Sequence, residues 1–462
     1  MRSIATIGLT CVAILSFGLR FWHLDQFNSL IFDEIYYVKF AQAYLVGTAE
    51  FDAHPPLGKY LIAVGIWLGE QRLGEYIPFN FSVVKTAEVG LSPFSYRWIN
   101  ALIGSLIPLT VIGICQSIDQ TLDQEQYRQR TPLKRWIFSL LAGLFVAIDG
   151  LFVTESRYAL LNVHMVFFGL LGHYFWLQAD HQQGKKSLFR LLAGVSLGAS
   201  VAVKWNGLGY CLSLSVWESW RRWQQSLRKR QRKKQSNKRW IVLLARLTGV
   251  GLAALMTYCL IWWPHLYFVR ESILTVHQTL LTFHRELSAT HPACAKWYTW
   301  PLLIKPISYW YVEHDRMNGV ADQEKIVQTV NNLGNPALWG LSAATILLLL
   351  VEWRRVLRSD NDAFSGMSAY LLVGYLTNWL PWMLVGRCTY NYLFMPAAAF
   401  GFMALALAMS EWLAGRTRLC RVAAGVMLGT IAIAFFYWLP LSLGLPLTSQ
   451  ALQNRWWLRS WI

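Results

Sequence analysis

Apolar runs of roughly 20 residues, nearly free of charge, recur along the whole 462-residue chain. A run of that length crosses about 30 Å of hydrocarbon as a single helix. Hydrocarbon offers the backbone no outside hydrogen-bond partner, so such runs are committed to helices. Composition agrees, with 55% hydrophobic and only 15% charged residues, where a soluble domain carries about a quarter charged. The reading is an all-α polytopic membrane protein, and a compact water-soluble enzyme is excluded. Candidate spans are 4–22, 97–116, 135–153, 157–178, 188–203, 206–220, 240–263, 336–353, 366–386, 388–410 and 419–440, an odd count that puts the termini on opposite sides. The first run lacks a small-residue cleavage site and ends in Arg20-Phe21-Trp22-His23, so it reads as a retained helix and not a signal peptide.

Charge orients these spans. A net charge of +17 suggests nucleic acid at first, but much of it sits in one block, 221–239 (RRWQQSLRKRQRKKQSNKR), between two apolar runs. That placement marks a cytoplasmic loop under the positive-inside rule and argues against nucleic acid. Alternation then puts 117–134, 179–187, 354–365 and 411–418 on the same side. Those loops carry Arg128, Arg130, Lys134, Lys185, Lys186, Arg354, Arg355, Arg358, Arg416 and Arg418, so independent loops agree. The N-terminus is then inside and the C-terminus outside. Two long loops, 23–95 and 264–335, also fall outside. Leu57–Leu68 is apolar but short, and reads as an interfacial or re-entrant helix. The seven cysteines are scattered without a CxxC pair, so neither a disulfide framework nor a zinc site is indicated.

Several residues invite a chemical reading. Asp33 and Glu34 follow the first span directly, and adjacent carboxylates beside a membrane are costly to desolvate. They serve either as acids at a helix N-terminus or as a general base with a tuning neighbour; spacing alone leaves both open. His54-Pro55-Pro56-Leu57-Gly58-Lys59 suits the first turn of a helix, with His54 and Lys59 placed to cradle a phosphate or simply to flank a Pro-initiated helix. Arg97, Arg157, Lys204 and Arg387 fall at the outer ends of spans, against the positive-inside bias. Pairing with Glu155, Asp149 or backbone carbonyls accounts for one or two of them, and an anion such as a lipid phosphate accounts better for four. From His291 to Trp310 the chain reads HPACAKWYTWPLLIKPISYW, either membrane-anchoring aromatics or a sugar-stacking wall.

Taken in order, the Asp-Glu pair, FDAHPPLGKYLIA, SRYALLN, VKWNGL, HPACAKWYTWP and NWLPWMLVGRCTYNYLFMPA resemble the protein O-mannosyltransferase family, over nearly the whole chain. The resemblance implies a GT-C fold of about 11 transmembrane helices in one membrane domain, with large external loops. It implies transfer of mannose from polyprenyl-phosphate-mannose to Ser or Thr hydroxyls of exported polypeptides, with inversion, in a plasma membrane. Asp33 is then the base, with Glu34 positioning acceptor or sugar. Arg97, Arg157, Lys204, Arg387, His54 and Lys59 are the phosphate-binding candidates. Glu155, His291, Trp297 and Trp300 are candidates for substrate contact. No metal or other cofactor is expected, and a dimer is left open. Three departures bear on this. Loop 264–335 is too short for the MIR domain of eukaryotic relatives, which points to a bacterial enzyme. Asn162 stands where relatives often have Asp, and the segment from His291 to Trp297 departs from the family pattern. The alternatives are a GT-C transferase with another sugar or a lipid acceptor, such as an aminoarabinose transferase, and a transporter.

Overall fold

The computed structural model describes residues 2–70, 85–121, 130–182, 184–228, 233–314, 325–352 and 363–461. The first part is helical: α1 (Arg2–Phe21), α2 (Glu34–Leu45), α3 (Leu57–Leu68), α4 (Pro93–Thr121), α5 (Pro132–Ile148), α6 (Gly150–Arg157), α7 (Asn162–His181), α8 (Lys186–Val203), α9 (Leu208–Arg228), α10 (Lys233–Val269) and α11 (Ile273–Glu286). Two strands follow, β1 (Ser308–His314) and β2 (Ile326–Asn331). After α12 (Pro336–Val351), α13 (Ala363–Trp379), α14 (Met395–Leu413) and α15 (Arg418–Leu443) come a two-residue strand β3 (Leu447–Thr448) and α16 (Ser449–Gln453), with short 3-10 turns between some of these elements.

Among the described residues, five segments are long and apolar enough to cross a membrane: α4, α8, Trp240–Val269 within α10, Asn391–Leu413 and α15. The bent pair α5–α6 makes a sixth if it is one span. The other expected runs fold as helices that are shorter or more polar. α14 is buried along almost its whole length, whereas Trp240–Val269 and α15 leave most of theirs uncovered, as lipid-facing helices do.

Breaks in the helices fall where the sequence supplies a reason. The expected span 135–153 is interrupted by Asp149, whose extended backbone ends α5 and caps α6 through Phe152 N at 3.2 Å, with a 58° bend between the two. Its other carboxylate oxygen accepts from Asn335 N at 2.9 Å and Trp339 Nε1 at 2.7 Å, which pins the bend to the start of α12. The expected span 388–410 begins as helix only at Asn391, leaving 385–390 irregular.

The all-α expectation needs correcting. A three-stranded antiparallel sheet in the order β1-β2-β3 rises from the second long loop, with Tyr311 opposite Thr329 and Val327 opposite Leu447. Its strands (SYWYVEH and IVQTVN) are rich in aromatic and β-branched residues, which favour a pleated surface. Positive charge also behaves differently from the loop reading. The 221–239 block falls on the end of α9 and the start of α10, with 229–232 outside the described residues, as are Arg128, Arg354, Arg355 and Arg358. Arg130 is buried against Asp119 at 3.2 Å and Glu411 at 3.0 Å, and Lys134 also pairs with Glu411, joining α4, α5 and α14.

α4, α6 and α7 meet at Gly104, where an added Cβ would lie 2.1 Å from Ser156 Oγ and 3.2 Å from Val163 Cγ2. Gly104→Ala is expected to destabilise the protein by about 1–3 kcal/mol through overpacking. The check is a lower unfolding temperature in detergent than that of Gly249→Ala, whose Cβ would meet nothing within 4 Å.

Candidate active site

The site is assembled around the turn that ends the first loop's opening stretch. Phe32 has φ +53°, a left-handed conformation that a bulky residue adopts only under constraint. The constraint is visible: its ring stacks on Tyr309 at 4.1 Å and meets Tyr392 edge-on at 6.3 Å. This turn delivers Asp33 to the N-cap of α2, yet its side chain makes no capping bond. The Tyr37 hydroxyl lies 3.5 Å from Oδ2. Asp33 is half-buried, and burial raises its pKa to about 6, opposed by the Lys204 ammonium and assisted by Asp52. A carboxylate so placed is ready to take a proton near neutral pH.

Glu34 has a different part. It is fully buried, and Arg97 donates Nε to Oε1 at 2.9 Å and Nη2 to Oε2 at 2.8 Å. Ile31 N and Ala159 N each donate to it at 2.8 Å. The remaining N–H groups of Arg97 go to the carbonyls of Leu24, Phe27 and Ser29 at 2.8–3.0 Å. Every N–H of that guanidinium is therefore engaged. This corrects two expectations: Arg97 has no donor left for a phosphate, and Glu34 has no lone pair turned to a substrate. The pair clamps the first loop to the start of α7.

Two further cations are buried and turned to partners within the protein. Arg157 is buried, with Nη1 donating to the carbonyls of Leu19 at 2.9 Å and Trp22 at 2.6 Å. Lys59 is buried against Asp52 at 2.5 Å and donates to the His54 carbonyl at 2.9 Å. Both hold backbone in place.

Lys204 and Arg387 remain. Lys204 sits in the turn after α8, where its Nζ donates to Asn162 Oδ1 at 2.9 Å and lies 5.4 Å over the Tyr392 ring. Asn162 passes the contact on, donating to Glu155 Oε2 at 3.0 Å, while Tyr309 donates to the other oxygen of Glu155. Glu155 is thus fully buried, with one oxygen taken by Asn162 and the other by Tyr309. Burial depresses the Lys204 pKa, and Asp33, Glu155 and Asp52 counteract it. Arg387 occupies the irregular stretch before Asn391, and among the described residues no acid pairs with it; its guanidinium reaches the Cys388 carbonyl at 3.3 Å.

Lys204 and Arg387 both line a cavity of about 1060 Å³. Arg285, Lys296, His54 and His284 share its wall, and among the described residues no Asp or Glu does. Trp382, Met383, Leu384 and Leu393 make another part of it apolar. Burial and the neighbouring Lys204 push the His54 pKa well below its usual value, so its imidazole is neutral. Trp297 lines the cavity. Trp300 does not: it is buried, with Nε1 on the Ala295 carbonyl at 3.1 Å. His291 is exposed outside the wall, its ring edge-on to Tyr390 at 6.0 Å.

Cys294 and Cys388 form a disulfide, against the expectation of none. The bonded cysteines are 94 residues apart, so spacing carried no sign of the pairing. Asp52 and Tyr309 were also missed. Asp52 left a signal, a carboxylate just ahead of the Pro-Pro turn that brings it back onto Lys59; Tyr309 left none.

The profile described as dolichyl-phosphate-mannose-protein mannosyltransferase matches residues 10–269. One for the C-terminal four-transmembrane region of protein-O-mannosyltransferase matches 269–461. A polyprenol-phosphate-mannose–protein mannosyltransferase of Mycolicibacterium smegmatis is 24% identical over 99% of this chain and 92% of its own. Among solved structures, the S. cerevisiae protein O-mannosyltransferase Pmt1–Pmt2 complex bound to the sugar donor has a TM-score of 0.79 at 15% identity, covering 99% of this chain and 92% of that one. The archaeal oligosaccharyltransferase AglB of Archaeoglobus fulgidus has a TM-score of 0.54 at 12% identity, covering 96% and 56%. The likeness to both structures is one of fold.

Proposed function

As the chain belongs to the dolichyl-phosphate-mannose-protein mannosyltransferase family, we propose that Asp33 is the general base of its transfer reaction and that Lys204 and Arg387 hold the donor phosphate. The protein is a membrane-integral enzyme of GT-C fold that moves mannose from a polyprenyl-phosphate donor to protein. The observation that carries the assignment of roles is the contrast within one site. Asp33 has an uncapped carboxylate with no ion-pair partner among the described residues, while Lys204 and Arg387, likewise without one among them, line a cavity that is apolar on another side.

The steps follow from these positions. A Ser or Thr hydroxyl of the acceptor attacks the anomeric carbon as Asp33 takes its proton. The bond from that carbon to the phosphate oxygen breaks, its electron pair leaves with the phosphate, and the configuration inverts. Phosphate is a good leaving group, so positive charge on the departing oxygens suffices without a general acid. Neutral His54 adds no charge of its own and offers a hydrogen bond. The apolar wall suits the first units of the polyprenyl chain.

The disulfide supports placing this site on the exported side, since such bonds persist in oxidising compartments. It also supports reading 23–95 and 264–335 as the external loops of a bacterial plasma-membrane enzyme with about eleven spans.

Purified protein in detergent, given polyprenyl-phosphate-mannose and a Ser/Thr-rich peptide, is expected to transfer mannose. The ionised form of Asp33 is the active one and its pKa is raised to about 6. The rate should therefore be level above that pH and fall about tenfold per unit below it. A flat profile through this range would remove Asp33 as the titrating base. Absence of transfer by folded protein that binds polyprenyl phosphate would overturn the reaction itself.

A further inference from the structure

We propose that the Cys294–Cys388 disulfide is a positioning element of the donor site: it fixes Arg387 against the cavity, and opening it weakens binding of the lipid phosphate. The proposal rests on the reading of Arg387 as a phosphate ligand. Three observations carry it beyond that reading.

First, Cys388 is the residue next to Arg387, and both cysteines lie on the wall of the same cavity. Second, Arg387 has little else to hold it. It stands in a stretch without regular structure, and its guanidinium reaches only the neighbouring Cys388 carbonyl, at 3.3 Å, among the described residues. An arginine side chain with so few contacts has much rotamer and backbone freedom to lose on binding, unless the chain beneath it is already fixed. Third, the bond joins two segments whose other hydrogen bonds lie further along the chain from Arg387, the one from Trp379 Nε1 to the Trp297 carbonyl at 2.9 Å among them. Ala295 N donates to the Thr389 carbonyl at 2.7 Å and Thr389 Oγ1 to the Ala295 carbonyl at 2.8 Å. Both bonds lie on the far side of the cysteines from Arg387. With the disulfide intact, Arg387 is one residue from a covalent anchor; with it open, the nearest hydrogen-bonded anchors are Val385, whose N donates to the Trp382 carbonyl at 3.1 Å, and Thr389, each two residues away.

The redox step balances simply. The Sγ–Sγ bond is reduced by an external dithiol, which is itself oxidised to a disulfide, leaving two protein thiols. Partial solvent exposure of both cysteines and their place on a cavity wall give such a dithiol access.

Titration of polyprenyl phosphate into the full-length protein in detergent tests this, before and after reduction, with free thiols counted by mass spectrometry. Affinity is expected to fall about tenfold or more on reduction, the size of one charge-assisted contact, and to return on reoxidation. A Cys294→Ser/Cys388→Ser double variant should match the reduced protein and serves if reduction unfolds it. The step that separates the two levels is Arg387→Ala. In the oxidised state it should bind as weakly as the reduced wild type, and its reduction should change nothing further. Unchanged affinity in reduced wild type overturns the proposal, as does an equal loss on reducing Arg387→Ala. Wild-type affinity in oxidised Arg387→Ala would instead remove Arg387 from the donor site, and the proposal with it.

Discussion

Asp33→Asn is expected to lower the rate of mannose transfer by about 10²–10⁴-fold, roughly 3–5 kcal/mol of barrier, while donor binding persists. Asn has the same shape and keeps a carbonyl oxygen towards the acceptor hydroxyl, but it cannot take the proton. Asp33 is absent from the cavity wall that carries Lys204 and Arg387, so polyprenyl phosphate should bind the variant within about twofold of wild type, or slightly better with a nearby negative charge gone. The measurement is a pair of assays on one preparation: initial transfer rate at saturating donor and peptide, and equilibrium binding of polyprenyl phosphate. Equal rates in the two proteins would sink Asp33 as the base. Loss of binding together with rate would mean that the carboxylate shapes the donor site itself.

The second large effect falls on stability. Arg97→Met leaves Glu34 charged, buried and without its partner, at a cost of about 3–5 kcal/mol. Arg97→Lys should recover little, because an ammonium cannot reproduce the planar fork that meets Glu34 with two nitrogens. Adding Glu34→Gln to Arg97→Met should restore part of the loss, since the uncompensated charge is then removed. Thermal unfolding in detergent reads all three variants. An Arg97→Met protein that unfolds at the wild-type temperature but no longer binds polyprenyl phosphate would return Arg97 to the donor site.

The contrast between Arg97 and Arg387 shows what could be read from the sequence. Both stand beside apolar runs in predicted external positions, and charge placement treats them alike. What separates them is the set of carbonyls from Leu24, Phe27 and Ser29 that closes around Arg97. Those come from an irregular segment some seventy residues earlier in the chain, and no local pattern announces their approach. Asp33 and Glu34 were legible as a special pair, because two carboxylates beside a membrane demand explanation; which was free and which clamped depended on Arg97. The helical runs were legible because hydrocarbon leaves a backbone no other choice. The small sheet was not, although SYWYVEH and IVQTVN carry a strand-like composition, because short aromatic runs in an external loop read equally well as interfacial anchors. Asn162 looked like a missing acid. In the structure it joins Lys204 to Glu155 with one amide, donating on one side and accepting on the other, which Asp in its ionised form could not do.

The cavity wall has a consequence for turnover. Lys204, Arg285, Lys296 and Arg387 line the space, with no acid beside them among the described residues. The donor enters as a phosphodiester with a single negative charge, and the lipid that remains after transfer is a monoester carrying nearly two at neutral pH. Coulomb attraction grows with the charge of the bound anion. In the proposed roles, the cations that draw electrons onto the departing oxygens grip the spent carrier more tightly than the loaded one, and escape of the emptied lipid into the bilayer is the expected stage at which the enzyme waits.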